Sequence, residues 1–77
     1  MSIKVRYFAS LKEWVGRSED TLEMTPGLSV RAAWELLNPN KAMPDATLAA
    51  INMQYVDLDT DMGDGEELAF FPPVTGG

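Results

Sequence analysis

The chain of 77 residues contains neither cysteine nor histidine. Without these residues there can be no disulfide framework, no cysteine-ligated iron–sulfur cluster and no zinc site of the usual kind, so we predict no metal site. Cys–His and Ser–His catalytic pairs are excluded for the same reason. A cysteine persulfide is excluded as well, and any sulfur that this chain carried would be held at its terminal carbonyl.

Long apolar runs are also missing from the sequence. The start, residues 1–6, is too short and too charged to be the hydrophobic region of a signal peptide. No apolar run approaches the length that a transmembrane helix requires. We therefore expect a cytoplasmic protein that does not interact with a membrane.

Charge is distributed unevenly along the chain, whose net charge is −6. All six basic residues lie within residues 1–41, whereas residues 42–77 contain seven acidic residues and no basic one. The net negative charge argues against a nucleic-acid partner. The acidic half is either a solvated surface or a surface that steers the chain toward a basic partner.

Hydrophobic periodicity predicts several short strands and one main helix. Ser29 is a suitable N-cap for a helix from Val30 to Leu37, in which Trp34 lies on the apolar stripe as a core anchor. A shorter helical turn ends at Gly16. Alternating residues predict strands over residues 3–9, 19–24, 47–53 and 66–71, with a short hairpin or edge piece over 54–58. The order predicts an α+β domain in which a mixed sheet of four to five strands packs on one main helix.

Two phenylalanines are predicted on the solvent face of this sheet. Phe8 falls on the polar face of the first strand, and alternation places Phe71 and Ala69 on the face opposite to Phe70. If the first and last strands are neighbours, the two phenylalanine rings form one patch, to which Tyr55 adds from a nearby hairpin. Such a patch indicates a docking surface; the alternatives are scattered surface aromatics, or a bulge that reverses the faces of a strand.

The end of the chain has an unusual composition. Proline stiffens the segment after Phe71, and glycine, which has no Cβ, can enter a channel that is too narrow for other residues. Glycines also occur at termini without a function. The whole pattern nevertheless predicts a domain over residues 1–71 and a flexible tail over residues 72–77, whose working group is the terminal carboxylate. The tail reads Pro72-Pro73-Val74-Thr75-Gly76-Gly77.

The ending Phe-Phe-Pro-Pro-x-x-Gly-Gly closely resembles that of the MoaD-type sulfur carriers, the small subunits of molybdopterin synthase in the ThiS/MoaD ubiquitin-like family. Weaker similarities extend the resemblance over essentially the whole chain. Tyr55 departs from the family pattern, because it stands where a leucine often contacts the partner. The weaker similarities lie at residues 5–16, Ala50-Ile51-Asn52 and residues 62–68.

The resemblance implies a β-grasp, or ubiquitin-like, fold and a function in molybdenum cofactor biosynthesis. An adenylating enzyme of the ubiquitin-activating type would use ATP to activate Gly77, and a persulfide would convert it to a thiocarboxylate. The sulfur would then pass to cyclic pyranopterin monophosphate in the large subunit of the synthase. The chain would be a non-catalytic sulfur donor that binds no cofactor, in a heterotetramer with two large subunits.

The resemblance also implies roles for single residues. Gly77 carries the sulfur, Gly76 permits close approach, and Pro72, Pro73, Val74 and Thr75 guide the tail. Phe8, Tyr55 and Phe71 are the predicted docking residues. Three other functions remain open at this point: a ubiquitin-like modifier that is conjugated through Gly77, a sulfur carrier for thiamine biosynthesis, and a plain protein-binding module.

Overall fold

The computed structural model describes residues 2–73, which form five strands and two helices. The α+β class and the number of strands agree with the prediction from the sequence. In chain order the elements are β1 (Ser2–Tyr7), α1 (Ser10–Val15), β2 (Glu19–Glu23), α2 (Val30–Leu37), β3 (Leu48–Ile51), β4 (Gln54–Val56) and β5 (Glu67–Phe71).

The five strands form one mixed sheet in the order β2-β1-β5-β3-β4. The pair β1 and β5 is parallel, and the other three pairs are antiparallel. The last strand of the chain is therefore the central strand of the sheet, with β1 on one side and β3 on the other. Pro72 and Pro73 therefore follow the chain out of the middle of the sheet, not from an edge.

The core lies between the sheet and α2. Trp34 is 1% exposed and Phe70 is fully buried. Their rings meet edge to face at 5.1 Å between centroids, and the Tyr7 ring lies 6.0 Å from each of them. Such aromatic pairs contribute about 0.5–1.5 kcal/mol each beyond the area that they bury. The predicted role of Trp34 as a core anchor is confirmed.

The start of α2 also follows the prediction. The Ser29 hydroxyl oxygen accepts a hydrogen bond from the Ala32 backbone N–H at 3.1 Å, which satisfies one of the donors left free in the first turn. The helix ends at Leu37, and Asn38 is its C-cap, directly before Pro39. The short helix α1 ends at Val15, and Gly16 follows as its C-cap with a left-handed φ of 86°, as predicted.

The third strand is shorter than predicted. It ends at Ile51 because Asn52 and Met53 have positive φ angles of 49° and 71° and form a two-residue turn into β4. Turns of this kind match the twist of a hairpin. The Asn52 side chain also accepts a hydrogen bond from the Glu67 N–H at 3.0 Å, which ties the turn to the start of β5.

A polar network joins β1, β2 and the end of α2. The Tyr7 hydroxyl donates to Asp20 at 3.0 Å and accepts from the Asn38 side-chain amide at 3.2 Å. Arg17 forms an ion pair with Asp20 at 2.7 Å. Burial raises the pKa of the Tyr7 hydroxyl above its ordinary value, and the Asp20 carboxylate adds to this effect, whereas the hydrogen bond from Asn38 lowers the pKa.

The predicted boundary between domain and tail lies close to the end of the described residues. Residues 74–77 lie outside residues 2–73, so the division into a domain over residues 1–71 and a tail over 72–77 stays a prediction. As for membrane segments, the helices within residues 2–73 are too short to span a bilayer.

Candidate functional site

Phe8 and Phe71 come together at one end of the sheet. The parallel register of β1 and β5 pairs Tyr7 with Phe70, and the Phe8 N–H donates to the Phe70 carbonyl at 3.1 Å. Each phenylalanine follows its paired residue, so both side chains lie on the outer face. Their rings stack with centroids 4.7 Å apart and planes 5° from parallel. The predicted adjacency of these two rings is therefore present in the structure.

Tyr55 reaches the same place from β4. The antiparallel registers align Tyr55 with Ala50 and Ala50 with Ala69, which puts all three on the outer face of the sheet. The Tyr55 ring meets Phe71 at 5.9 Å between centroids with the planes inclined by 64°. Phe71 thus contacts an aromatic ring on each side. We call Phe8, Tyr55 and Phe71 the aromatic patch.

The aromatic patch is accessible to a partner. Tyr55 is 66% exposed, Phe8 is 36% exposed, and Phe71 is half-buried, whereas the neighbouring Phe70 is fully buried. Ala69 shares the outer face as predicted but is not wet: it is 5% exposed, with Arg6 of β1 on one side and Ala50 of β3 on the other. Exposed rings that contact one another are typical of a docking surface.

One ion pair shares the outer face of the sheet with the aromatic patch, and a second involves the acidic half of the chain. Arg6 and Glu67, on the neighbouring strands β1 and β5, form an ion pair at 3.5 Å between Nε and Oε2. In the acidic half of the chain, Asp59 is paired with Arg31 at 3.1 Å. Both pairs are exposed to solvent and contribute little to stability. Electrostatic steering by the acidic half stays a prediction.

The root of the predicted tail lies at the aromatic patch. Pro72 is half-buried and Pro73 is exposed, and neither belongs to a strand. These prolines follow Phe71 in the chain, and because β5 is the central strand, they leave the sheet beside the aromatic patch. The other predicted tail residues, Val74, Thr75, Gly76 and Gly77, lie outside the described residues. The roles assigned to the tail therefore stay predictions.

The sequence reasoning missed an exposed apolar residue that lies close to Tyr55 in the chain. Met53, at the tip of the β3–β4 turn and two residues before Tyr55, is 79% exposed. The sequence placed it inside a strand, since asparagine followed by methionine is a weak turn signal. Asn52 is the stronger turn signal of the two residues, because asparagine tolerates a positive φ.

The aromatic patch supplies contacts but no reactive group. Its three rings carry no nucleophile, and the one hydroxyl, on Tyr55, has no charged partner among residues 2–73 that could activate it. General acid–base chemistry needs a positioned titratable group close to the reacting atom. The arrangement is therefore suited to binding another protein.

Two curated relatives match this chain over its full length. It is 38% identical over 87 residues to the molybdopterin synthase sulfur carrier subunit of Escherichia coli (strain K12), with 97% of this chain and 99% of the relative covered. It is 32% identical over 84 residues to the protein of the same name from Chlamydomonas reinhardtii, with both chains covered completely.

Solved structures confirm the β-grasp fold. SAMP1 from Haloferax volcanii superposes with a TM-score of 0.79 at 25% identity, with both chains fully covered. The complex of subunits 1 and 2 of the molybdopterin-converting factor from Helicobacter pylori 26695 contains a chain that superposes with a TM-score of 0.69 at 22% identity, again over the whole of both chains. The ThiS family model matches residues 5–77, and this chain is therefore a member of the ThiS family.

Proposed function

We propose that this chain is the sulfur carrier subunit of a molybdopterin synthase and that Gly77 carries the sulfur as a thiocarboxylate. The observation that carries the proposal is the position of the aromatic patch: the central strand ends in it, at Phe71, directly before the Pro-Pro and Gly-Gly segment. The names of the two full-length relatives support the same function.

The chemistry requires no catalytic side chain in this protein. A carboxylate is a poor electrophile, so an ATP-dependent adenylating enzyme of the ubiquitin-activating type would first convert Gly77 to an acyl adenylate. A persulfide sulfur would then displace AMP to form an acyl disulfide, and a second thiol of the sulfur-donating protein would cleave its S–S bond, which leaves a disulfide on the donor and the thiocarboxylate on Gly77. This sulfur is ionised and nucleophilic without a neighbouring base, which fits a chain that has neither cysteine nor histidine. ATP is consumed by the activating enzyme, and this chain binds no cofactor of its own.

The large subunit of the synthase is the proposed partner of the aromatic patch. Six residues follow Phe71 and, when extended at ~3.3–3.6 Å each, they reach on the order of 20 Å. The sulfur can therefore enter a buried site where cyclic pyranopterin monophosphate is bound, while the folded domain stays outside. The two-subunit complex from Helicobacter pylori supports a partner of this kind. We propose a heterotetramer with two large subunits, located in the cytoplasm.

A second candidate function is that of a ubiquitin-like modifier. SAMP1 and a second structure, named small archaeal modifier protein 1 of Haloferax volcanii, superpose on this chain with TM-scores of 0.79 and 0.78. A modifier would be activated at the same carboxylate but would end in an isopeptide bond to a lysine of another protein. The fold and the Gly-Gly pair serve both functions equally well.

Mass spectrometry of the protein isolated from its native host separates the two functions. A sulfur carrier should contain a population with one oxygen exchanged for sulfur, and fragmentation should place that sulfur on Gly77. Branched peptides that join Gly77 to lysines, without thiocarboxylate, would identify a modifier instead. The matched control is a variant with one alanine added after Gly77. It should melt at the same temperature and carry no sulfur, and sulfur retained on this variant would contradict the mechanism.

A further inference from the structure

Tyr55 is the member of the aromatic patch that carries a polar atom. The other two rings belong to Phe8 and Phe71, and the residues aligned beside Tyr55 across the sheet are Ala50 and Ala69. The Tyr55 hydroxyl takes part in none of the side-chain hydrogen bonds within residues 2–73. With 66% of the residue exposed, water satisfies this hydroxyl in the free protein.

Tyr7, the other tyrosine of the chain, shows what a hydroxyl requires when it loses water. Tyr7 is 2% exposed, and its hydroxyl donates to Asp20 at 3.0 Å and accepts from Asn38 at 3.2 Å. A hydroxyl that is buried without such partners costs free energy. Removal of water from the Tyr55 hydroxyl has the same requirement, and the patch itself offers no group that could meet it.

A partner that covers Phe71 also covers Tyr55. The centroids of the two rings are 5.9 Å apart with the planes inclined by 64°, and Tyr55 is 66% exposed. The tail root at Pro72 follows Phe71 directly, so a partner that receives the tail is brought against this part of the sheet. A partner that covers both rings therefore displaces water from the Tyr55 hydroxyl.

We propose that the Tyr55 hydroxyl determines the specificity of docking, and that the surface of the sulfur-accepting subunit presents a hydrogen-bonding group to it. This inference rests on the proposed function. A partner surface that is entirely apolar at this point would leave the hydroxyl unsatisfied and would be rejected. The two phenylalanines supply apolar contact that many surfaces could match, whereas the hydroxyl selects among them.

The test is the substitution Tyr55→Phe in the full-length chain, which removes one oxygen and keeps the ring. Its melting temperature should equal that of the wild type, because the hydroxyl has no partner within residues 2–73. Titration calorimetry against the large subunit from the same host should show binding that is weaker by between about fivefold and about 100-fold, since a group on the partner loses its hydrogen bond. Equal or tighter binding of Tyr55→Phe would overturn the proposal.

Phe8→Ala is the control for the docking surface. It should weaken binding of the large subunit, and unchanged binding would show that docking occurs elsewhere, which refutes the role of Tyr55 as well. Sulfur on Gly77 is measured in parallel by mass spectrometry. If the wild type and Tyr55→Phe both carry sulfur but bind the large subunit equally, the specificity role fails while the carrier function stands. If neither carries sulfur, the proposed function itself fails.

Discussion

Replacement of Phe71 by alanine should weaken partner binding and leave the domain folded, whereas Phe70→Ala should strongly destabilise the domain without a direct effect on binding. The two residues are adjacent and of the same type, but they lie on opposite faces of the central strand. Phe70 is fully buried against Trp34, whereas Phe71 is half-buried between the exposed rings of Phe8 and Tyr55. A comparison of Phe71→Ala with Phe70→Ala therefore tests the effect of the sheet face on which the phenylalanine lies.

The structure sets the expected magnitudes. Truncation of a fully buried phenylalanine costs about 3–5 kcal/mol. A domain of 77 residues has a total stability of about 4–12 kcal/mol, so Phe70→Ala should lose a large part of it. Phe71→Ala loses two ring contacts worth about 0.5–1.5 kcal/mol each, a total of about 1–3 kcal/mol, and should stay folded. As a central docking residue it should lose about 2 kcal/mol of binding free energy, or roughly 30-fold in affinity.

Urea denaturation measures the free energy of unfolding of each variant, and titration calorimetry measures its affinity for the large subunit. Affinities are compared per folded molecule, so that partial unfolding of Phe70→Ala does not appear as weak binding. A loss of stability for Phe71→Ala as large as that for Phe70→Ala, together with unchanged binding, would refute the assignment of Phe71 to a docking face.

Two further predictions concern stability. The raised pKa of Tyr7 means that the folded state keeps this proton more tightly than the unfolded chain, so the free energy of unfolding should fall as the pH rises above about 10 and be unaffected by this group at lower pH. Tyr7→Phe should reduce this alkaline fall in the free energy of unfolding, and near neutral pH it should cost about 1–3 kcal/mol because the Asn38 amide loses its acceptor. Urea titrations near neutral pH and above a pH of about 10 measure both effects. An unchanged fall in stability above that pH would contradict the role of Tyr7. Met53→Gly should raise the free energy of unfolding by ~0.5–1 kcal/mol in the same assay, since glycine relieves the positive φ of 71°, and a loss of stability would show that the turn is unstrained.

Local patterns predicted most of the fold. Alternation identified the buried side of β1, and Ser29 together with the apolar stripe gave the bounds of α2, because both signals depend on residues a few positions apart. The sequence failed at the β3–β4 turn. The residues Asn52 and Met53 resemble strand continuation locally, and the turn forms there because β4 pairs back on β3 while Asn52 also bonds to Glu67.

The candidate site was also predicted only in part from the sequence. The sequence identified Phe8, Tyr55 and Phe71 as a possible patch, since the period of two shows which side chains leave the core face. It could not show that the three rings would meet. That outcome depends on strand order, which places β5 between β1 and β3 and brings β4 alongside β3.

The sequence by itself therefore determined that cysteine and histidine chemistry is absent from these 77 residues, and it determined the faces of the strands, the limits of the main helix and the composition of residues 72–77. These properties are local, because they depend on residue type and on spacings of two to four residues. Only the tertiary structure decided that the first and last strands are parallel neighbours, that Phe71 contacts a ring on each side, and that the tail root leaves from the centre of the sheet. Those features arise from contacts between residues at opposite ends of the chain, which form only when the sheet closes over the core around Trp34.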